Sequence, residues 1–160
     1  MNSRDLTRIA KHLASGSIGV GRGRPRQTEL CRAVSTAYYA LFHALALCCA
    51  DSLVGATPSG RSQRAWRQAY RALEHGLAKN RCSSGSLGRF PPEIQDFGRL
   101  FVTMQRERHI ADYDPDAAFS RGDVLSLIDE TENVIIRFEE ADGRDRRAFA
   151  VFVLFRLRPD

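Results

Sequence analysis

Leu30, Val34, Ala37, Tyr38, Leu41, Phe42, Leu45 and Cys48 recur at intervals of three and four. That period gathers them on one side of an α-helix over residues 28–50 and fits no strand register. The other side carries Arg32, Ser35, Thr36, Tyr39, His43 and Ala46, bordered by Ala33, Ala40 and Ala44. Side chains this small let a second helix come close, so the helix is expected to be covered on two sides. A long helix covered twice needs several partner helices.

The rest of the chain supplies them. Residues 4–14 read as a first helix, followed by the Gly/Arg-rich segment GSIGVGRGRP at 16–25. That segment lacks the Lys-Ser/Thr ending of a phosphate loop and follows no strand; its Arg22 and Arg24, with Arg26, are available to a polyanion. Asp51 to Gly60 reads as a loop, with Ala56-Thr57-Pro58-Ser59-Gly60 as its turn signal. A third helix is expected over 61–79, with Trp66, Ala69, Tyr70, Leu73 and Leu77 on one face. Asn80 to Phe90 reads as a flexible connection. Pro91-Pro92-Glu93 opens a fourth helix, and Asp114-Pro115 ends it near Tyr113. Ser120 with Asp123 caps a fifth helix, whose core face is Val124, Leu127, Ile128, Thr131, Val134, Ile135 and Phe138.

Asp142-Gly143 interrupts that helix. The apolar run Ala148–Phe155 would have no ladder partner as a strand, so a short terminal helix over about 145–157 is expected. The fold class is all-α: an antiparallel bundle of four to five main helices in a single domain over 1–160.

No stretch of about 18 wholly apolar residues stands out as a membrane span, and the charged N-terminus does not read as a signal peptide. Cys31, Cys48, Cys49 and Cys82 contain no CxxC pair and read as reduced, mostly buried thiols, which points to the cytoplasm. His12, His43, His75 and His109 share no metal-ligand spacing, and no cofactor is expected. The formal charge is +5, unevenly spread. Residues 61–82 carry six Lys/Arg against one Glu, whereas 111–140 carry nine Asp/Glu against two Arg. Such a division suits a nucleic-acid contact or complementary self-association.

The densest chemistry lies in Arg106-Glu107-Arg108-His109-Ile110-Ala111-Asp112-Tyr113-Asp114-Pro115-Asp116. Helical geometry places Arg108 at the centre of the apolar side formed by Phe97, Leu100, Phe101, Met104 and Ala111, with Arg106 turned toward solvent. An arginine on a core-facing stripe needs its charge met, and Asp112 at i,i+4 is the local partner. His109 and Tyr113 form a second i,i+4 pair beside it, at a helix end that favours imidazolium. Arg108 and His109 are the candidate catalytic residues, with Asp112, Tyr113, Tyr39 and His43 as possible support. Tyr38, Tyr39, Phe42 and Trp66 read as core aromatics. Arg61, Arg64, Arg67, Arg71 and His75 share the outer side of the third helix and form the candidate nucleic-acid surface, able to track a phosphate backbone without reading bases.

Arg32-Ala33-Val34-Ser35-Thr36-Ala37-Tyr38-Tyr39-Ala40-Leu41-Phe42-His43 and Arg108-His109-Ile110-Ala111-Asp112-Tyr113-Asp114-Pro115, with Trp66 and Tyr70-Arg71-Ala72-Leu73-Glu74-His75 between them, resemble the small prokaryotic HEPN-domain proteins. The likeness covers roughly residues 26–157 and implies a helical bundle that commonly dimerises. Many members of that family are metal-independent endoribonucleases of toxin–antitoxin or defence systems, with an Arg-x(4–6)-His motif assembled across the dimer. Others act as partners of nucleotidyltransferase-type proteins or antitoxins. In this chain Val102, Thr103 and Met104 occupy the positions where the motif would set an arginine before His109. The family's roles therefore correspond to Arg108 and His109 by local similarity. The resemblance implies a homodimer that contacts RNA or another phosphate-bearing partner, or a ribonuclease using those two residues, or a non-catalytic protein-interaction domain.

Overall fold

Helices account for all of the regular structure among the described residues of the computed structural model, 2–16 and 26–156. Seven α-helices follow in order: α1 (Ser3–Ala14), α2 (Gln27–Val54), α3 (Gln63–Arg71), α4 (His75–Cys82), α5 (Pro92–Tyr113), α6 (Arg121–Glu140) and α7 (Gly143–Leu154). Short 3₁₀ turns lie at Pro58–Gly60 and Gly85–Arg89. Arg22 and Arg24 of the Gly/Arg-rich segment lie outside the described residues, as does the last position expected for the terminal helix.

The central helix is α2, packed by α1, α3, α5, α6 and α7. Its small residues explain how one helix takes so many neighbours: Ala33, Ala37, Ala40, Ala46 and Ala50 are fully buried. Tyr38, Leu41 and Leu45 are fully buried between them, each contributing about 1.5–3 kcal/mol by apolar burial. Around α2, Phe97 of α5 stacks on Phe138 of α6 at 4.1 Å between centroids, and Phe149 of α7 meets Phe90 edge-on at 5.3 Å. Lys11 joins α1 to α6 through Glu132 and Asp129, at 2.5 and 2.9 Å.

The helix ends follow their capping residues. Ser120 Oγ accepts from the Asp123 N–H at 3.1 Å and donates to the Asp123 carboxylate at 2.6 Å, so the expected cap forms. Asp142 caps α7 by accepting from the Arg144 N–H at 2.8 Å. Pro92 sits in the first turn of α5, and Asp114 ends that helix before Pro115.

Several expectations need correction. The central helix continues through residues 51–54, expected as loop, and stops only where Gly55 takes φ +122°, a value that ends helical geometry. The helix expected over 61–79 is two helices. No Gly or Pro causes the break at Ala72–Glu74; Glu74 becomes extended while Leu73 is buried to 5% exposure, so packing overrides local propensity. Residues 80–90 are not a plain connection, since α4 runs to Cys82 and both Cys82 and Leu87 are buried. Among the described residues seven α-helices stand where four to five main helices were expected, the expected third helix having divided in two. Finally, α2 is long and apolar enough to cross a membrane by length and composition, although 72% of its most apolar stretch is buried inside the bundle.

Candidate functional site

Arg108 leaves α5 toward α2, where Asp112 and three tyrosines surround its guanidinium. Nε lies 2.6 Å from Asp112 Oδ2, an ion pair without good hydrogen-bond alignment. Nη2 donates to Tyr39 Oη at 3.3 Å. The rings of Tyr38, Tyr39 and Tyr113 lie 5.9, 5.6 and 5.8 Å from the guanidinium carbon, within cation–π range. The second oxygen of Asp112 accepts from Ser35 Oγ at 2.5 Å, which ties this carboxylate to α2. Burial works against the Arg108 charge, but Tyr39 and Asp112 outweigh it and raise the pKa. The expected Arg108–Asp112 pair is therefore present and mostly buried, at 22% and 17% side-chain exposure.

Next to this pair, two histidines are each bound to a tyrosine. Tyr38 Oη and His75 Nδ1 share a hydrogen bond of 2.5 Å, and His43 Nδ1 and Tyr70 Oη share one of 2.6 Å. His75 stacks on Phe42 at 3.9 Å. Burial lowers the pKa of both histidines, and the Arg108 charge lowers that of His75 further. Burial also pushes the Tyr38 phenol well above its ordinary range. Burial thus favours the neutral forms of His43, His75, Tyr38 and Tyr70 beside the Arg108 guanidinium, in a cluster gathered from α2, α3, α4 and α5.

The two catalytic candidates part company here. His109 is exposed, and its ring meets that of Tyr113 at 4.9 Å; Tyr113, 65% exposed, is also the ring 5.8 Å from the Arg108 guanidinium carbon. Tyr39, Asp112 and Tyr113 do gather around Arg108, while His43 joins by way of Tyr39 and His75.

The basic stripe also divides. Arg64, Arg67 and Arg71 are exposed along α3 and pair with no carboxylate among the described residues. Arg61 belongs to the scaffold instead. Its side chain is 9% exposed, Nη1 bonds Asp51 at 3.1 Å and the carbonyls of Gly55 and Ala56 at 2.9 and 3.0 Å, and the guanidinium lies 4.2 Å above the Trp66 ring. His75 is not on the stripe at all. The break at Ala72–Glu74 turns it inward onto Tyr38 and Phe42.

Sequence reasoning missed the pairing of His75 with Tyr38, and Asp51 as the shared acceptor of Arg61 and Trp66. One signal was readable: a tyrosine on the fully buried face of a helix needs a partner for its hydroxyl. Only the fold says which histidine provides it. An open cleft of about 480 Å³ lies between the start of α2 and the end of α5, lined by Cys31, Arg32, Asp112, Tyr113 and Asp114 among others. Among the described residues, no group of three or more His, Cys, Asp or Glu side chains is placed to hold a metal ion. The chain matches no protein-family model, no curated protein and no solved structure.

Proposed function

We propose that this chain is a HEPN-like helical protein that works as a cytoplasmic homodimer and contacts RNA, through phosphates, on the arginine face of α3. A toxin–antitoxin or defence setting, with a nucleotidyltransferase-type or antitoxin partner, accords with the resemblance of its sequence. One observation carries the reading. Arg64, Arg67 and Arg71 project from one side of an exposed helix with no carboxylate engaged, while Arg61 and Arg108 are consumed by the scaffold. Uncompensated guanidiniums in a row suit a polyanion, and they bind phosphate without selecting bases. The test is fluorescence anisotropy with a labelled single-stranded RNA. The triple variant Arg64→Ala/Arg67→Ala/Arg71→Ala should lose binding at least about tenfold while its helicity is kept. Unchanged affinity in that variant would remove the reading. Sedimentation of the same samples reads out the dimer.

A second reading, metal-independent RNA cleavage, is favoured by the gathering of Arg108, Tyr39, His43 and His75 in one half-buried niche. A ribose 2′-oxygen would bond to the adjacent phosphorus as an imidazole takes its proton; the P–O5′ bond would break, the leaving 5′-oxygen would take up a proton, and a 2′,3′-cyclic phosphate would remain, with arginine stabilising the phosphoryl oxygens. His109 would take part only if a second subunit brought it to an Arg108. Cleavage in the presence of chelator, abolished by Arg108→Ala, is the expected result; loss in His109→Ala assigns the imidazole to the second subunit, and loss in His43→Ala or His75→Ala assigns it to the niche. Intact RNA across a broad panel would eliminate it.

A further inference from the structure

α3 is attached to the rest of the molecule in an unusual way. It buries none of its own residues, and its packing partner is α2. Its attachment is the packing of the half-buried Tyr70 against the core, together with polar contacts concentrated at two points. At the N-terminal end, Trp66 Nε1 donates to Asp51 at 2.7 Å and Arg61 binds the same carboxylate. At the C-terminal end, Tyr70 is bonded to His43, with the two rings stacked at 6.0 Å. Beyond Tyr70 the chain breaks at the buried Leu73, and α4 is secured separately against α5 and α7. The element therefore has an anchor at each end, a pivot after the second anchor, and no core of its own.

We propose that α3 is a strap whose Tyr70 end is released from α2 in mild acid while α4 and the bundle stay folded. The groups around the two histidines supply the reason. His43 faces Tyr39 and Phe42 of its own helix, Tyr70 of α3, and His75 of α4. His75 faces Tyr38, Tyr39, Phe42 and His43 of α2 and the Arg108 guanidinium of α5. None of these neighbours is a carboxylate able to compensate an imidazolium. Protonation would put two cations side by side, next to the Arg108 guanidinium whose pairing with Asp112 leaves that carboxylate engaged, in a partly desolvated place. The imidazolium of His43, half-buried beneath Tyr70, gains water when Tyr70 swings away about Leu73, and the packing of the Tyr70 ring against the core is what opposes that release at neutral pH. His75 lies beyond the pivot and is held by α4, so the movable part is α3.

The sign follows from the direction of the shifts. Both histidines are held below their ordinary value of 6.5. Their contribution to holding the strap is complete above that value and fades as the pH falls through it toward the lower folded pKa. The proposal stands whether or not the arginine face holds RNA, because its readouts contain no RNA.

Trp66, the single tryptophan of the chain, stacks on Tyr70 at 5.2 Å and so reports on the strap itself. The full chain is titrated from about pH 7.5 to about pH 5, following acrylamide quenching of Trp66, amide exchange of α3 and far-UV circular dichroism. Quenching should rise about twofold, and α3 amides, corrected for intrinsic rate, should exchange about tenfold faster, with helicity and α5 exchange unchanged. Tyr70→Phe should show the released values already at neutral pH, and His43→Gln should flatten the titration. Constant quenching in the wild type would overturn the proposal. So would a change that coincides with loss of helicity throughout, or a transition that survives in a folded His43→Gln/His75→Gln chain. Because the wild-type titration decides alone, a variant that fails to fold does not rescue the idea.

Discussion

At the scale of single residues, identical side chains three positions apart do different work. Arg61 closes the end of α2 by satisfying two carbonyls and a carboxylate under a tryptophan ring, whereas Arg64 faces solvent. Arg61→Ala leaves those acceptors unmet and is expected to cost about 1–3 kcal/mol in urea unfolding. Arg64→Ala should stay within about 0.5 kcal/mol. Equal costs would refute this division of the stripe. The Arg108–Asp112 pair is argued in the same way. Its side chains keep 22% and 17% exposure, so partial solvent screening reduces the penalty of a fully buried unpaired charge. Asp112→Ala is expected to cost about 1–2 kcal/mol, and less in an Arg108→Met background, where no guanidinium is stranded. A double-mutant cycle with zero coupling would show that the pair contributes nothing to the fold.

At the scale of elements, stability is set at the helix ends and by the faces laid on α2. The Ser120 hydroxyl both accepts from Asp123 N–H and donates to its carboxylate, so Ser120→Ala should cost about 1 kcal/mol. Thermal unfolding checks it, and a cost below about 0.3 kcal/mol would mean that the first turn of α6 is held by packing instead. The same elements show what was legible beforehand. The long apolar repeats of α2, α5 and α6, and the ends of α5 and α6, were readable because periodicity and capping are local properties; the end of α2 was not, since its stop is the backbone of Gly55, four residues past the point expected. The Ala72–Glu74 break was not, since nothing between Tyr70 and His75 is a helix breaker. Its cause is the burial of Leu73 and the Tyr38–His75 bond, both made with distant parts of the chain. The candidate site divided along the same line: Arg108–Asp112 is an i,i+4 pair and was visible, while the histidine–tyrosine pairs join residues 37 and 27 positions apart. An arginine's exposure was equally hidden, because Arg61 precedes α3 in extended backbone that faces the end of α2, whereas Arg64 stands on the helix itself.

At the scale of the whole molecule, charge is separated rather than balanced: α3 offers three free guanidiniums, and the stretch from Asp112 to Glu140 is predominantly acidic. A polyanion would therefore be steered toward α3 and away from α6, and long-range steering of this kind is screened by salt. If the three arginines of α3 each neutralise one phosphate of a single strand, the logarithm of affinity should fall against the logarithm of salt with a slope of about −2. Raising salt fourfold would then weaken binding roughly 16-fold. Removing Arg67 alone should move the slope to about −1.4, and removing all three should leave it near zero. Arg61→Ala, compared at a temperature where it remains folded, should keep the wild-type slope, because its guanidinium is bound to Asp51 and the end of α2. A slope that Arg61→Ala changes as much as Arg67→Ala would mean that RNA reaches the strap only after its Asp51 anchor opens. A slope insensitive to all four substitutions would place the polyanion contact on another surface of the molecule.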